Sequence, residues 1–202
     1  MKKIIFLMIV IILFIGCARE ADLVFDNRTS HYLYYTIDDV PQEPLAGQTA
    51  RKHTFKIGTQ YLFNTPEKTV KVTAKGETFV TPGEGDDRYI ILDNRYYKKD
   101  YNLIFYPNQA GFKIINESSE VITSFTYRIV KINGTDSHII PFINGLQPGE
   151  EYWDVLPYND YEDANYTYRF EMTTNSFNDT FFVLADSLIL GRGEQFLYYH
   201  RD

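Results

Sequence analysis

The chain contains one thiol, Cys17, which follows Gly16 at the end of an apolar run from Ile4 to Ile15; Lys2 and Lys3 precede that run. The run is too short to cross a bilayer, which needs roughly 20 apolar residues. Its length and flanks fit the apolar region of a signal peptide, so it reports export. Other candidates for chemistry are sparse. The histidines, His31, His53, His138 and His200, lie far apart, and neither a G-x-S-x-G elbow nor an H-E-x-x-H helix is present. Asp160, Glu162 and Asp163 place three carboxylates close together, and hard cations want oxygen ligands, but the spacing is not that of an EF-hand loop. A solvated acidic turn is the simpler reading, and neither a metal nor a cofactor is expected. Trp153, Tyr158, Tyr161 and Tyr166 stand out for binding. They fall in one Tyr-rich acidic stretch with the only Trp, and such side chains offer rigid area with a polar tip.

Phe14-Ile15-Gly16-Cys17 resembles the lipobox of bacterial lipoproteins, with Phe14 standing where Leu is usual. The resemblance covers residues 1–17 only. It implies that residues 1–16 are removed as a signal peptide, that Cys17 carries a diacylglyceryl group, and that the new amino group is acylated. Ala18 follows where an Asp would favour retention at the inner membrane, so the resemblance points to the outer membrane, on its periplasmic side or at the cell surface. The alternative is ordinary secretion with a cut after small residues, in which case Cys17 leaves with the peptide.

Charge narrows the partners. Arg and Lys number 20 against 27 Asp and Glu, and losing Lys2 and Lys3 with a signal peptide deepens the imbalance. An acidic chain lacks the basic footprint of a nucleic-acid binder. Seventeen Tyr and fifteen Phe favour strands, because aromatic side chains fit a pleated surface.

The order of patterns repeats. Leu23 to Ser30 recurs as Phe112 to Ser119, Leu45-Ala46-Gly47 as Leu146 to Gly149, and Val70 to Ala74 as Tyr168 to Met172. Glu77 to Val80 recurs as Thr180 to Val183, Asp87 to Ile91 as Asp186 to Leu190, and Asn102 to Tyr106 as Gln195 to Tyr199. Each copy is a string of short alternating segments separated by Gly, Pro, Asn and Asp. The fold class expected is therefore all-β: two tandem β-sandwich domains of about seven to eight strands each, similar in architecture to immunoglobulin-like or fibronectin-like sandwiches.

The expected layout is a signal peptide over 1–16, a lipidated segment over 17–21, repeat one over 22–107, a short linker over 108–110 and repeat two over 111–202. Strands are expected at 22–27, 31–38, 50–57, 68–74, 77–81, 87–92 and 101–106. In the second copy they are expected at 111–116, 121–132, 137–143, 151–156, 165–172, 179–184, 186–190 and 194–200. Core candidates are Leu23, Phe25, Leu33, Val70, Val72, Phe79, Ile90, Leu103 and Phe105, with Phe112, Ile114, Ile122, Tyr168, Phe170, Phe182, Ile189, Phe196 and Tyr198 as counterparts. Asn27 and Asn116 start N-x-S/T triplets at matched positions, where an Asn side chain closes a turn on the backbone. Copy two adds about a dozen residues between Ser119 and Leu146, with a hairpin signal at Asn133-Gly134.

These features predict a non-catalytic envelope lipoprotein whose second domain binds a protein or glycan partner. The alternative is a structural or assembly component of the periplasm whose sheet edges pair with other envelope proteins. A hydrolytic enzyme ranks last.

Overall fold

The computed structural model describes residues 17–60, 66–81, 87–93, 100–132, 137–143, 145–159, 164–175 and 182–202. The segment expected as a signal peptide, the hairpin turn expected at Asn133-Gly134, Tyr161 and the acidic triplet Asp160, Glu162 and Asp163 lie outside these residues. The described residues form strands and no helix. They fall into two compact units. The first holds the chain up to Arg28, Tyr32–Lys75 and Thr81–Phe105; the second holds Thr29–His31, Gly76–Val80 and Tyr106–Asp202.

In the first unit, β1 (Cys17–Asn27) lies between β4 (Thr49–Gln60), antiparallel to it, and β8 (Asp100–Phe105), parallel to it. The facing sheet sets β2 (Leu33–Ile37) between β3 (Val40–Pro41) and β5 (Glu67–Gly76), and β7 (Asp87–Asp93) pairs with β5. Asp38 and Asp39 both have positive φ, 49° and 63°, as a tight two-residue hairpin between β2 and β3 requires. The two-residue β6 (Phe79–Val80), which follows β5 in the chain, falls in the second unit.

The second unit repeats this order. There β9 (Ala110–Asn116) lies between β12 (Glu151–Leu156), antiparallel, and β15 (Gln195–His200), parallel. The facing sheet runs β11 (Ser137–Ile143), β10 (Ile122–Lys131), β13 (Tyr166–Thr174), β14 (Phe182–Leu188). Thus β4-β1-β8 corresponds to β12-β9-β15, and β3-β2-β5-β7 corresponds to β11-β10-β13-β14. The extra residues of the second copy lengthen the β10–β11 hairpin relative to its β2–β3 counterpart and, among the described residues, add no new strand.

Alternation explains each core. Leu23 and Phe25 are fully buried on the inner face of β1, and Phe112 and Ile114 take the same places on β9. Phe25 stacks on Tyr35 at 4.2 Å, and Phe170 stacks on Phe196 at the same distance, so rings from the two sheets interdigitate. Each such ring contributes about 1.5–3 kcal/mol by leaving water.

Three expectations shift. Segments 179–184 and 186–190 are not separate strands; residues 182–188 form one, β14, ending near Ser187 at φ 57°. The β13–β14 pair carries irregularities on both sides of Phe170, and it sets Leu188 opposite Tyr168 where Ile90 stands opposite Val70. The inward phase therefore moves one residue: Leu190 joins the core and Leu188 packs against it, in place of Ile189. In the last strands, Leu23 pairs with Tyr101 and Phe112 with Phe196, so the match between β8 and β15 is offset by two residues from the one expected. A slip of two keeps every side chain on its face, which is why alternation alone does not detect it.

Asn27 and Asn116 do close turns. Each is completely buried. Asn27 Nδ2 donates to the carbonyls of Leu45 and Ala46 at 3.0 and 3.1 Å. Asn116 Nδ2 donates to Glu120 and Leu146 at 2.8 and 3.0 Å.

A pH response is built into the first unit. The Tyr35 hydroxyl lies 2.9 Å from His53 Nε2. Burial, with the nearby Arg51 charge second, holds His53 below the ordinary imidazole range. A depressed histidine favours the neutral form in the fold, so its contribution is present above the unfolded value of about 6.5 and is lost as pH falls through the folded one. Thermal melts from about pH 7.5 down to about pH 5 should therefore show a larger loss in the native protein than in His53→Phe. Equal losses would rule out His53 as the source.

Candidate functional site

Strand register decides which side chains share the outer face of β12-β9-β15. Trp153 pairs with Lys113, which pairs with Leu197; Glu151 pairs with Ile115, which pairs with Tyr199; Val155 pairs with Gly111, which pairs with Gln195. Their neighbours Phe112 and Ile114 point into the core, so these residues point out. Trp153 is half-buried, whereas Leu197 and Tyr199 are 44% and 41% exposed. Arg201 lies over the Tyr199 ring at 5.0 Å and donates to Glu117 at 2.6 Å.

Lys113 stands at the middle of this face. Its ammonium is 3.2 Å from Glu77 and 3.0 Å from Glu151. Burial opposes its charge, but the two carboxylates prevail and hold its pKa above the ordinary lysine value. Gln195 also donates to Glu77 at 3.0 Å.

Tyr158 and Tyr166 lie elsewhere and pack against the core of the second unit. The Tyr166 hydroxyl donates to the Tyr158 carbonyl at 3.0 Å, and the Tyr168 hydroxyl donates to the Pro157 carbonyl at 2.5 Å. Asn159 adds a donor to the Tyr166 carbonyl. Arg192 stacks over Tyr158 at 4.6 Å and donates to its hydroxyl at 2.6 Å. Burial, then the neighbouring Tyr166, pushes the Tyr168 phenol well above its usual range. The arrangement ties the segment after β12 down onto the core. The structure thus sets Trp153 on an outer face and Tyr158 and Tyr166 against the core; Tyr161 is outside the described residues.

The two copies are dressed differently on equivalent faces. Where the second unit has Trp153, Val155 and Leu197, the first has Lys52, Thr54 and Asn102. There Asp22 accepts from Lys52 at 3.0 Å and from Thr54 at 2.6 Å, a polar cluster where the second unit has Trp153 and Val155.

On the other sheet the contrast reverses. The outer face of β10-β13-β14 is tied together by ion pairs, Arg128 and Arg169 to Glu171 at 2.9 and 2.8 Å and Arg169 to Asp186 at 3.4 Å. The corresponding face of the first unit carries Tyr32, Tyr34, Tyr89 and Ile91, with Tyr89 66% and Ile91 55% exposed. The sequence reading did not single out this face. Its signal was the run from Tyr32 to Tyr35, in which aromatic residues occupy the outward phase of β2 as well as the inward one.

A cleft of about 510 Å³ opens in the second unit beside β14 and β15, floored by Met172, Phe182, Leu184 and Tyr198 and rimmed by His200 and Arg201. Among the described residues, no group of three or more His, Cys, Asp and Glu converges as a metal site would. No described helix is long and apolar enough to cross a membrane.

No family model matches the chain, and no curated protein matches it. Among solved structures it is similar to a DUF3823 family protein from Bacteroides ovatus, at 11% identity and a TM-score of 0.26, covering 84% of this chain and 97% of that one. It is also similar to the Bacillus anthracis TIE protein, at 8% identity and a TM-score of 0.27, over 91% of this chain and 33% of that one. A third similar structure is the major pilin T-13 of Streptococcus pyogenes, at 9% identity and a TM-score of 0.24, over 92% and 98% of the two chains. Likeness this slight says nothing about activity or partners.

Proposed function

We propose that this chain is a non-catalytic envelope lipoprotein, anchored to the outer membrane through Cys17, whose second unit binds a protein partner through the outer face of β12-β9-β15. The observation that carries this reading is the exchange of the polar Lys52, Thr54 and Asn102 of the first unit for Trp153, Val155 and Leu197 at equivalent places in the second. On this face Trp153 and Leu197 flank the ion-paired Lys113, and Glu151 and Arg201 add charge at the rim; apolar anchors set among charges have the make-up of a protein interface. A photo-crosslinker placed at Leu197 in cells should give a discrete adduct, and one at the equivalent Asn102 should not. Trp153→Ala should then reduce the Leu197 adduct at least tenfold, the size expected of an interface anchor worth ~1.4 kcal/mol or more. An adduct indifferent to Trp153→Ala would remove this site.

The free sheet edges favour a second reading, a structural role within the envelope. Among the described residues β14 pairs only with β13, and β15 only with β9. Unpaired edges are templates for another strand. In that case Val183→Lys on β14 would abolish assembly and Trp153→Ala would leave it intact.

A further inference from the structure

A second recognition site sits on the opposite kind of sheet, in the first unit, and it does not depend on the Trp153 reading. A cleft of about 280 Å³ is cut into the outer face where β2 meets β5, lined by Tyr34, Thr36, Pro41, Gln42, Thr73 and Lys75. We infer that this cleft is a carbohydrate site that takes one pyranose ring of a glycan, stacked on Tyr34 and hydrogen-bonded by Thr36, Thr73 and Gln42.

Each requirement of sugar recognition is met by a particular group. A pyranose presents an apolar C–H face and a rim of hydroxyls that both donate and accept. The apolar face needs an aromatic side chain with a polar tip, which Tyr34 supplies, and Tyr32 extends the aromatic surface with its ring centre 6.5 Å away. The hydroxyl rim needs neutral groups of both polarities. Thr36 and Thr73 share a hydrogen bond at 2.7 Å. That bond uses one of their two O–H donors, so the pair keeps a donor and several lone pairs for a ligand. Gln42 holds the Val40 carbonyl at 3.0 Å through Nε2, which fixes the amide and leaves a second N–H and a carbonyl oxygen. Lys75 adds an ammonium at the rim, and among the described residues no carboxylate lines the cleft. The nearby acids Asp39 and Asp87 are held by Lys71 at 2.7 and 3.0 Å.

The topology argues against a peptide. Peptides that bind sheets do so chiefly through an open strand edge. Here β2 is paired on both sides, by β3 and β5, so its main chain has no free edge and side chains alone must do the reading. The volume falls at the lower end of small-ligand pockets, which suits a single ring rather than a chain of side chains.

The other copy shows the site unmade. Thr173 occupies the place of Lys75; Ser124 stands opposite it and the Thr123 hydroxyl lies 2.9 Å from its own, so small hydroxyl residues take the place of Tyr34. Glu171, bound by two arginines, occupies the place of Thr73. The aromatic wall is missing and the hydroxyl is replaced by a saturated ion pair.

The test uses the whole mature chain and a panel of glucose, galactose, mannose, N-acetylglucosamine and N-acetylgalactosamine, read by saturation-transfer NMR and titration calorimetry. At least one sugar should bind saturably, with a Kd near about 1 mM or tighter. Tyr34→Ala should weaken that sugar at least about tenfold, and Thr73→Val about three- to tenfold. Tyr34→Phe should keep most of the affinity, because the stacking ring remains, and Trp153→Ala should keep all of it. Unchanged thermal melts for Tyr34→Phe and Thr73→Val would show that these effects are local. No binding by any sugar up to about 20 mM, well beyond the expected Kd, would overturn the proposal. So would binding that survives Tyr34→Ala or disappears with Trp153→Ala.

Discussion

Asn116→Ala should lower the melting temperature of the second unit by about 12–24 °C. The side chain is completely buried and serves four backbone or hydroxyl groups at once. Its Nδ2 donates to Glu120 and Leu146, and its Oδ1 accepts from the Ser118 amide at 3.2 Å and the Ser118 hydroxyl at 2.8 Å. Truncation leaves these groups in a space sealed from water, and each buried polar group left unpaired costs about 1–3 kcal/mol. Even partial repair by Ser118, whose hydroxyl also reaches the Glu120 carbonyl at 3.3 Å, leaves a loss of about 3 kcal/mol. For a domain of this size each kcal/mol moves the melting temperature by about 4–8 °C. Asn116→Asp separates the two halves of the amide. It keeps the acceptor for Ser118 but turns an oxygen on the Leu146 and Glu120 carbonyls, so it should be nearly as damaging. A mild Asn116→Asp would show that the Nδ2 donations contribute little. Asn27→Ala should act the same way on the first unit, through Leu45 and Ala46.

Cys17→Ser should abolish incorporation of labelled fatty acid and leave the protein as the longer, uncut precursor. The expectation rests on the proposed anchor: each buried CH₂ of an acyl chain contributes about 0.8 kcal/mol, and stable attachment takes more than one chain. Loss of the thiol removes the first acylation and, with it, the cut that exposes the second site. The structure adds a consequence. Cys17 is already the first residue of β1, paired with Gln60, so no tether separates the anchor position from the folded unit. Normal cutting of Cys17→Ser, with no label in the native protein, would refute the anchor and leave simple secretion.

Much of the fold was legible because a strand in a two-layer sandwich writes its burial into every second residue. Leu23 and Phe25 alternate with Asp22, Val24 and Asp26, and the same phase recurs at Phe112 and Ile114. The paired asparagines were legible too, since an Asn that ends one strand in both copies has a backbone turn to close. Less was legible at β14. There, irregular pairing around Phe170 shifted the inward phase onto Leu188 and Leu190, and no local pattern announces a bulge. The offset of two residues between β8 and β15 was silent for the opposite reason: it preserves alternation.

The sequence by itself determined the β class, the positions of nearly all the strands, the duplication and the polar asparagines that lock each copy. Those properties follow from interactions within one strand or one turn. Only the tertiary structure decided what each outer face presents. Trp153 became part of a surface because register placed Lys113 and Leu197 beside it, and Leu197 lies 44 residues further along the chain. Thr36 met Thr73 across 37 residues to floor the Tyr34 cleft. In Glu171, two arginines closed the matching place on the other copy. Outward positions carry no core constraint, so their residue types vary freely along each strand. Their meaning arises only where pairing assembles them into one surface.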